Sequence, residues 1–131
     1  NFTAVLKKCA SVPREGQNGS WLIPEMVEAY NDLHALGYAH SVETYQEGIL
    51  VGGLYGVVVG GAFCGESMFA EVSDASKVAF AYLVEHLRLQ GFEFIDAQVP
   101  TTHLKSLGAK EVSRDEFLDL LEKNVHRDVF F

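Results

Sequence analysis

A carboxylate and a side-chain amide, Asp96 and Gln98, stand two residues apart in the apolar run from Phe92 to Val99. On an extended strand that spacing puts both side chains on one face. Held side by side there, they can accept hydrogen bonds or a proton from an incoming amine. Carboxyl ends of strands are also where open α/β sheets bind ligands. A second carboxylate, Glu66, lies in Cys64-Gly65-Glu66-Ser67-Met68-Phe69, at the end of an expected third strand and between bulky apolar neighbours. Plainer readings fit the same residues: Asp96 as a loop cap with Gln98 in water, and Glu66 as a surface charge. Spacing alone leaves both open.

Other chemistries find less support. His34, His40, His86, His103 and His126 form no ligand pattern with Cys9 or Cys64, so no metal is expected. Cys64 reads as a small core hydrophobe. Gly65-Glu66-Ser67-Met68 lacks the second glycine of a nucleophile elbow. Gly52-Gly53-Leu54-Tyr55-Gly56 opens no Gly-Lys-Ser/Thr helix and is no phosphate loop. Ala75-Ser76-Lys77 at the first turn of a helix fits either an anion site or a plain capped start.

The frame that must position these groups is small. The 131 residues, at 14.4 kDa, suit one domain, and with 48% hydrophobic and 21% charged residues the chain can bury a core without staples. Two cysteines fit a reducing cytoplasm rather than a disulfide scaffold. The longest apolar run, from Ile49 to Cys64, is too short and too often broken by glycine to span a membrane. A formal charge of −8 argues against a broad nucleic-acid-binding face. It suits a cationic ligand or ordinary acidic solubility. The opening Asn1-Phe2-Thr3 is neither an initiator methionine nor a signal peptide, which suggests a fragment or a start lying further upstream.

An amphipathic stretch (Phe2, Val5, Leu6) precedes a turn-rich loop, Pro13 to Ser20. From Pro24 to Leu36 the positions Met26, Val27, Tyr30, Leu33 and Leu36 predict a helix ended by Gly37. Tyr38 to Gln46 alternates as a strand. Glu47-Gly48 turns it into a second strand, and Gly60-Gly61 leads to a third. Gly52, Gly53 and Gly56 inside the middle strand point to a bulge or a close approach. Ser73 or Asp74 is expected to cap a helix running to Gln90, with Val78, Ala79, Tyr82, Leu83 and Leu87 buried and Gly91 ending it. Phe92 to Val99 reads as a strand, Thr102 to Leu107 as one or two helical turns, and Ala109 to Val112 as a short strand. Ser113-Arg114-Asp115-Glu116 is a capping box. The end, from Asn124, reads as frayed, with Phe130-Phe131 free to dock on a partner or on a region outside the chain. The expected class is α+β, a mixed sheet flanked by helices, in the element order of the acetyltransferase-like (GNAT-type) fold.

Several motifs in order carry a more specific signal: Trp21-Leu22, Ala29-Tyr30 with Leu33-His34, Gly37 to Glu43, Leu50 to Gly56, Gly65 to Phe69, Ala75 to Lys77, Ile95 to Gln98, His103-Leu104 and Ser106 to Ala109. Together they resemble the leucyl/phenylalanyl-tRNA–protein transferases, from about Trp21 to Leu121. The resemblance implies transfer of leucine or phenylalanine from leucyl-tRNA or phenylalanyl-tRNA to proteins whose N-terminus is arginine or lysine, marking them for degradation. It also implies that no metal or small cofactor takes part. Residues 21–131 would form the acetyltransferase-like catalytic domain and 1–20 an N-terminal segment and loop. The family's further N-terminal domain, with its aromatic-rich opening, has no counterpart in this sequence, so a basic tRNA-facing surface would depend on residues outside it.

Carried over by motif, Gln98 would polarise or accept the proton of the attacking α-amine, with Asp96 in the same network. Glu66 and Asp96 would form a negative hole for the acceptor's cationic side chain. Leu54, Phe63, Phe80, Leu83 and Ile95 are candidates for the apolar donor pocket, and Trp21 for stacking on the terminal adenine. Lys77, Lys105 and Lys110 are candidates for phosphate contacts. The resemblance implies a cytoplasmic, monomeric enzyme. Two rivals remain: an acyl-coenzyme A-dependent acyltransferase of the same fold, for which no basic glycine-rich pyrophosphate loop is present, and a non-catalytic binder of basic N-termini.

Overall fold

The computed structural model describes residues 1–11, 24–96, 110, 112–127 and 129–131. Its elements are α1 (Phe2–Ser11), α2 (Pro24–Ala35), β1 (Ala39–Gln46), β2 (Ile49–Val59), β3 (Ala62–Ala70), α3 (Ala75–Gln90), β4 (Phe94–Asp96) and α4 (Arg114–Asn124). The strands form one mixed sheet in the order β1-β2-β3-β4, antiparallel through the meander and parallel from β3 to β4. The expected α+β class and mixed sheet are therefore observed.

Local chemistry explains the turns. Glu47 and Gly48 both take positive φ, 53° and 80°, as a two-residue hairpin of the primed type requires. Gly37, at φ 87°, ends α2: its N–H reaches the His34 carbonyl and the Tyr38 N–H reaches that of Leu33. The Ser113 hydroxyl accepts from the Glu116 N–H at 3.2 Å, so the expected cap on α4 forms.

The sheet carries apolar clusters on both faces. Adjacent residues of β2 point to opposite sides. Tyr55 joins Phe2, Val5, Leu6 and Cys9 of α1 and Phe69 of β3, whereas Leu54 joins Phe63 of β3 and Ala79, Leu83 and Leu87 of α3. The glycines of β2 permit this double approach. A β-carbon at Gly52 would lie 2.5 Å from that of Ala75, and one at Gly56 2.5 Å from the Phe63 ring. The expected close approach is thus the neighbouring helix and strand.

Several expectations are corrected. The buried stripe of α3 is Ala75, Ser76, Ala79, Leu83 and Leu87, and not one including Val78 and Tyr82, which are 56% and 68% exposed. The reason is the tight seat of Ala75 on Gly52, which turns the small alanines toward the sheet. Asp74 precedes α3 in a left-handed conformation (φ 64°) and makes no side-chain cap; its carboxylate pairs with Lys77 at 3.5 Å. The first turn of α3 is closed against the sheet, with Ala75 and Ser76 buried and the Ala75 carbonyl bonded to the Thr44 hydroxyl.

Within the expected strand from Phe92, β4 begins only at Phe94, because Phe92 completes the cap of α3: its N–H bonds the Leu87 carbonyl and its ring enters the core. Lys110 and Val112 belong to no strand; the expected helical turns at 102–107 lie outside the described residues. The end of the chain is anchored, not frayed. Buried Asn124 accepts the Gly61 N–H through its carbonyl at 2.6 Å and bonds Arg127 through Oδ1 at 2.9 Å, while Phe131 packs on its own domain.

Candidate functional site

Glu66 is placed by an irregularity in β3. Tyr55 of β2 pairs with Ser67, and the next residue, Gly56, pairs with Gly65, so Glu66 is the extra residue of a β-bulge. Such a bulge re-aims a side chain. It also reverses the alternation of the strand. Phe63 and Met68, five apart, both pack on the α3 cluster, and this is possible only if the count slips once between them. Glu66 therefore lies within β3, at its bulge, and not at the strand end.

Cys64 aligns with Asp96 across the parallel β3–β4 pair. Burial pushes the half-buried Cys64 thiol above its ordinary range, and the negative charges of Asp96 and then Glu66 push it further. Both carboxylates thus converge beside one thiol. Tyr30 of α2 completes the group. Its phenol is pushed up to about 12, first by burial, then by the charge of Glu66 and by the hydrogen bond it donates to that carboxylate. The Tyr30 ring meets Tyr55 edge-on at 5.3 Å, which fixes its place over the sheet. The arrangement can receive a cation: two carboxylates at one edge of the sheet, one of them oriented by a phenol.

Leu54, Phe63 and Leu83 are buried, with relative exposures of 3%, 1% and 1%, and half-buried Phe80 and Ile95 pack against them on the α3 face. The structure brings these five together. Ile95 and Asp96 alternate on β4, so the apolar group and the acidic group occupy opposite faces of the sheet. Trp21 and Gln98 lie outside the described residues, as do His103 and Lys105. Tyr30 was hidden from sequence reasoning, because its helical spacing marks it as one more apolar position and its partner is far along the chain.

A groove of about 590 Å3 opens along the other edge of the sheet, between Ser41–Tyr45 of β1 and Val78, Tyr82 and His86 of α3, with Phe131 in its wall. Burial holds His40, close by, below the ordinary histidine range; its bond to the Gly37 carbonyl opposes this, and His34 and His86 add to it.

The fold and site define an α+β domain with two carboxylates near one edge of a mixed sheet, four-stranded among the described residues. Comparison with known proteins makes this particular. The model of the family "Leucyl/phenylalanyl-tRNA protein transferase" matches residues 1–122, and the chain belongs to that family. A leucyl/phenylalanyl-tRNA–protein transferase of Sulfurimonas denitrificans is 63% identical over 123 residues, covering 94% of this chain and 54% of that protein. The protein of the same name from Dechloromonas aromatica is 58% identical (89% and 50%), and that of Flavobacterium johnsoniae 50% identical (93% and 58%). The chain therefore spans about half the length of the curated relatives it matches.

Proposed function

We propose that the chain carries the catalytic unit of an aminoacyl transfer, moving leucine or phenylalanine from leucyl-tRNA or phenylalanyl-tRNA to the N-terminal arginine or lysine of an acceptor protein and so marking it for degradation. The observation that carries this reading is the convergence of Glu66 and Asp96 beside Cys64. A guanidinium or ammonium entering there meets two carboxylates, and each charge-assisted hydrogen bond contributes about 1.5–3 kcal/mol.

With the acceptor side chain held, its α-amine attacks the ester carbonyl of the aminoacyl-tRNA. The new C–N bond forms, the carbonyl passes through a tetrahedral oxyanion, and the C–O bond to the 3′ oxygen breaks. The amine loses one proton and the departing 3′ oxygen gains one. Gln98, two residues beyond Asp96, polarises the amine or accepts its hydrogen bond, and Asp96 orients that amide. An amide is a feeble base, so positioning and electrostatics supply most of the acceleration. The apolar group of Leu54, Phe63, Phe80, Leu83 and Ile95 serves the donor side chain from the opposite face of the sheet, so donor and acceptor would meet around the end strand β4, and Trp21 stacks on the terminal base. We place this chemistry in an acetyltransferase-like (GNAT-type) domain of residues 21–131, with 1–20 as its leading segment, acting as a cytoplasmic monomer.

The test is transfer of labelled leucine from leucyl-tRNA to a peptide beginning with arginine, with the N-acetylated peptide as control. Label should enter the free-amine peptide alone. Asp96→Ala and Gln98→Ala should each lower turnover at least tenfold in folded protein; an unchanged rate removes that residue from the mechanism. Peptide binding without transfer, in the presence of aminoacyl-tRNA, would favour a non-catalytic binder of basic N-termini.

A further inference from the structure

The apolar cluster under α3 and the acidic group on the other face of the sheet share consecutive rungs of one ladder. Phe63 of β3 pairs with Ile95 of β4, and both belong to the apolar cluster. The next rung, Cys64 with Asp96, belongs to the acidic group. The bulge repeats the pattern: Glu66 acts on the Cys64 thiol, whereas Met68, two residues on, packs under α3. A β-carbon at Gly65, the residue before Glu66, would stand 3.5 Å from the Asp96 carbonyl oxygen and 4.0 Å from the Ile95 side chain, so the bulge and β4 lie side by side.

Among the described residues β4 is the shortest strand, three residues long, and it pairs with β3 alone. Leu54, Phe63 and Leu83 are closed to solvent, whereas Ile95 and Phe80 are half-buried, so a side chain entering the cluster meets those two first. Adjacent residues of a strand point to opposite faces but share one backbone. Whatever seats Ile95 against the cluster therefore also fixes where Asp96 stands.

We propose that β4 couples the two sites: an apolar donor side chain seated against Ile95 holds Asp96 in place beside Glu66 and so tightens binding of the acceptor's cationic N-terminal residue. The identity of the two ligands rests on the transfer reading above; the coupling rests on the β3–β4 register. The two states it requires are Ile95 seated and Ile95 unseated, and each ligand favours the first. By linkage the cation tightens donor binding by the same factor. Ile95 is thereby a positioning residue for Asp96. A domain that holds its donor selects basic N-termini better than an empty one, which withholds the acceptor site until there is an amino acid to transfer.

The experiment reads the fluorescence anisotropy of an arginine-starting peptide, labelled at its far end, on the full chain with and without saturating phenylalanyl-adenosine. The nucleoside carries an amide in place of the ester, so its acyl group resists transfer. The alanyl nucleoside, which lacks the ring, and a peptide beginning with alanine are the controls. The phenylalanyl nucleoside should tighten the arginine peptide about fivefold or more, and the alanyl nucleoside should not. Leu83→Val and Ile95→Val each remove one carbon from the same cluster, and both should weaken the nucleoside. Read at saturation, Leu83→Val should keep the factor, because Leu83 stands on α3, whereas Ile95→Val should lose at least half of it. A merely structural loss of packing would lower both alike. Equal factors in the two variants, or a factor of one with both ligands bound to the full chain, overturn the inference and leave the transfer reading standing. An arginine peptide that binds no better than the alanine peptide refutes the transfer reading, and the inference falls with it.

Discussion

Replacing Tyr30 by phenylalanine removes one hydroxyl and, with it, the hydrogen bond to Glu66. An unfolded tyrosine ionises near 10.0, whereas in the fold Tyr30 keeps its proton to about 12. Below pH 10 both states are protonated and the contribution to stability is whole. Between the two values the unfolded chain releases a proton that the fold retains, so stability falls as pH rises and the contribution is lost at about 12. The whole displacement would correspond to about 2.7 kcal/mol. Burial is its largest cause and the side chain is half-exposed, so solvent screening leaves about 1 kcal/mol for the bond itself. Urea unfolding of Tyr30→Phe should therefore show a deficit of about 1 kcal/mol at pH 8.5 that shrinks to nearly nothing at pH 11.5. Pairing Tyr30→Phe with Glu66→Gln in a double-mutant cycle should recover most of that deficit as coupling. A deficit equal at both pH values, or no coupling, refutes the assignment of the bond. In transfer assays the same variant should raise KM for an arginine-starting peptide while changing kcat little, because Tyr30 orients a binding carboxylate and touches no reacting atom.

Cys64 offers a readout that needs no substrate: burial, then the charges of Asp96 and Glu66, suppress its thiolate, so alkylation by iodoacetamide at pH 8 should be slow and should quicken in Glu66→Gln. An unchanged rate would place Glu66 away from the thiol. Gly52→Ala puts a β-carbon 2.5 Å from that of Ala75 and 2.8 Å from its backbone carbonyl carbon, so α3 must move. The expected cost is about 1–3 kcal/mol, read as a fall in Tm of roughly 3–10 °C, and a Tm within 1 °C of the parent would contradict the close approach. Ser113→Ala should cost about 1 kcal/mol in urea unfolding through loss of the α4 cap, with no change in peptide binding.

The legible parts of the fold were those written in local chemistry. Glu47-Gly48, Gly37, Gly91 and Ser113 each sit where a turn or helix end demands that residue type, and each is used as expected. The buried face of α3 was harder, because Val78 and Tyr82 satisfy the helical period as well as Ala75 and Ala79 do. What decides between them is a glycine on a strand more than twenty residues away, which no helical period can report. The chain's end misled for a similar reason: Asn124 and Phe131 are anchored by Gly61, His40 and His86, partners far away in sequence. At the site, the type and spacing of Asp96 were informative, and the motif around Glu66 was recognised, but their convergence required the β3–β4 register.

The bulge at Glu66 links these observations. Phe63 and Phe69 are six apart and should share a face of an unbroken strand, yet Phe63 packs under α3 and Phe69 under α1. One inserted residue resolves the conflict, and the residue inserted is the carboxylate. Removing the bulge would turn Met68 and Phe69 each to the wrong face, so the apolar clusters on both sides of the sheet hold the irregularity in place. Neighbouring β4 is constrained in the same manner, since slipping it by one residue would exchange Ile95 for Asp96 and bury a carboxylate among apolar side chains, at a cost of several kcal/mol. The two acidic residues are thus positioned by the packing of their apolar neighbours. It follows that substitutions at Met68 or Ile95 that leave the domain folded should still weaken acceptor binding, without touching either carboxylate.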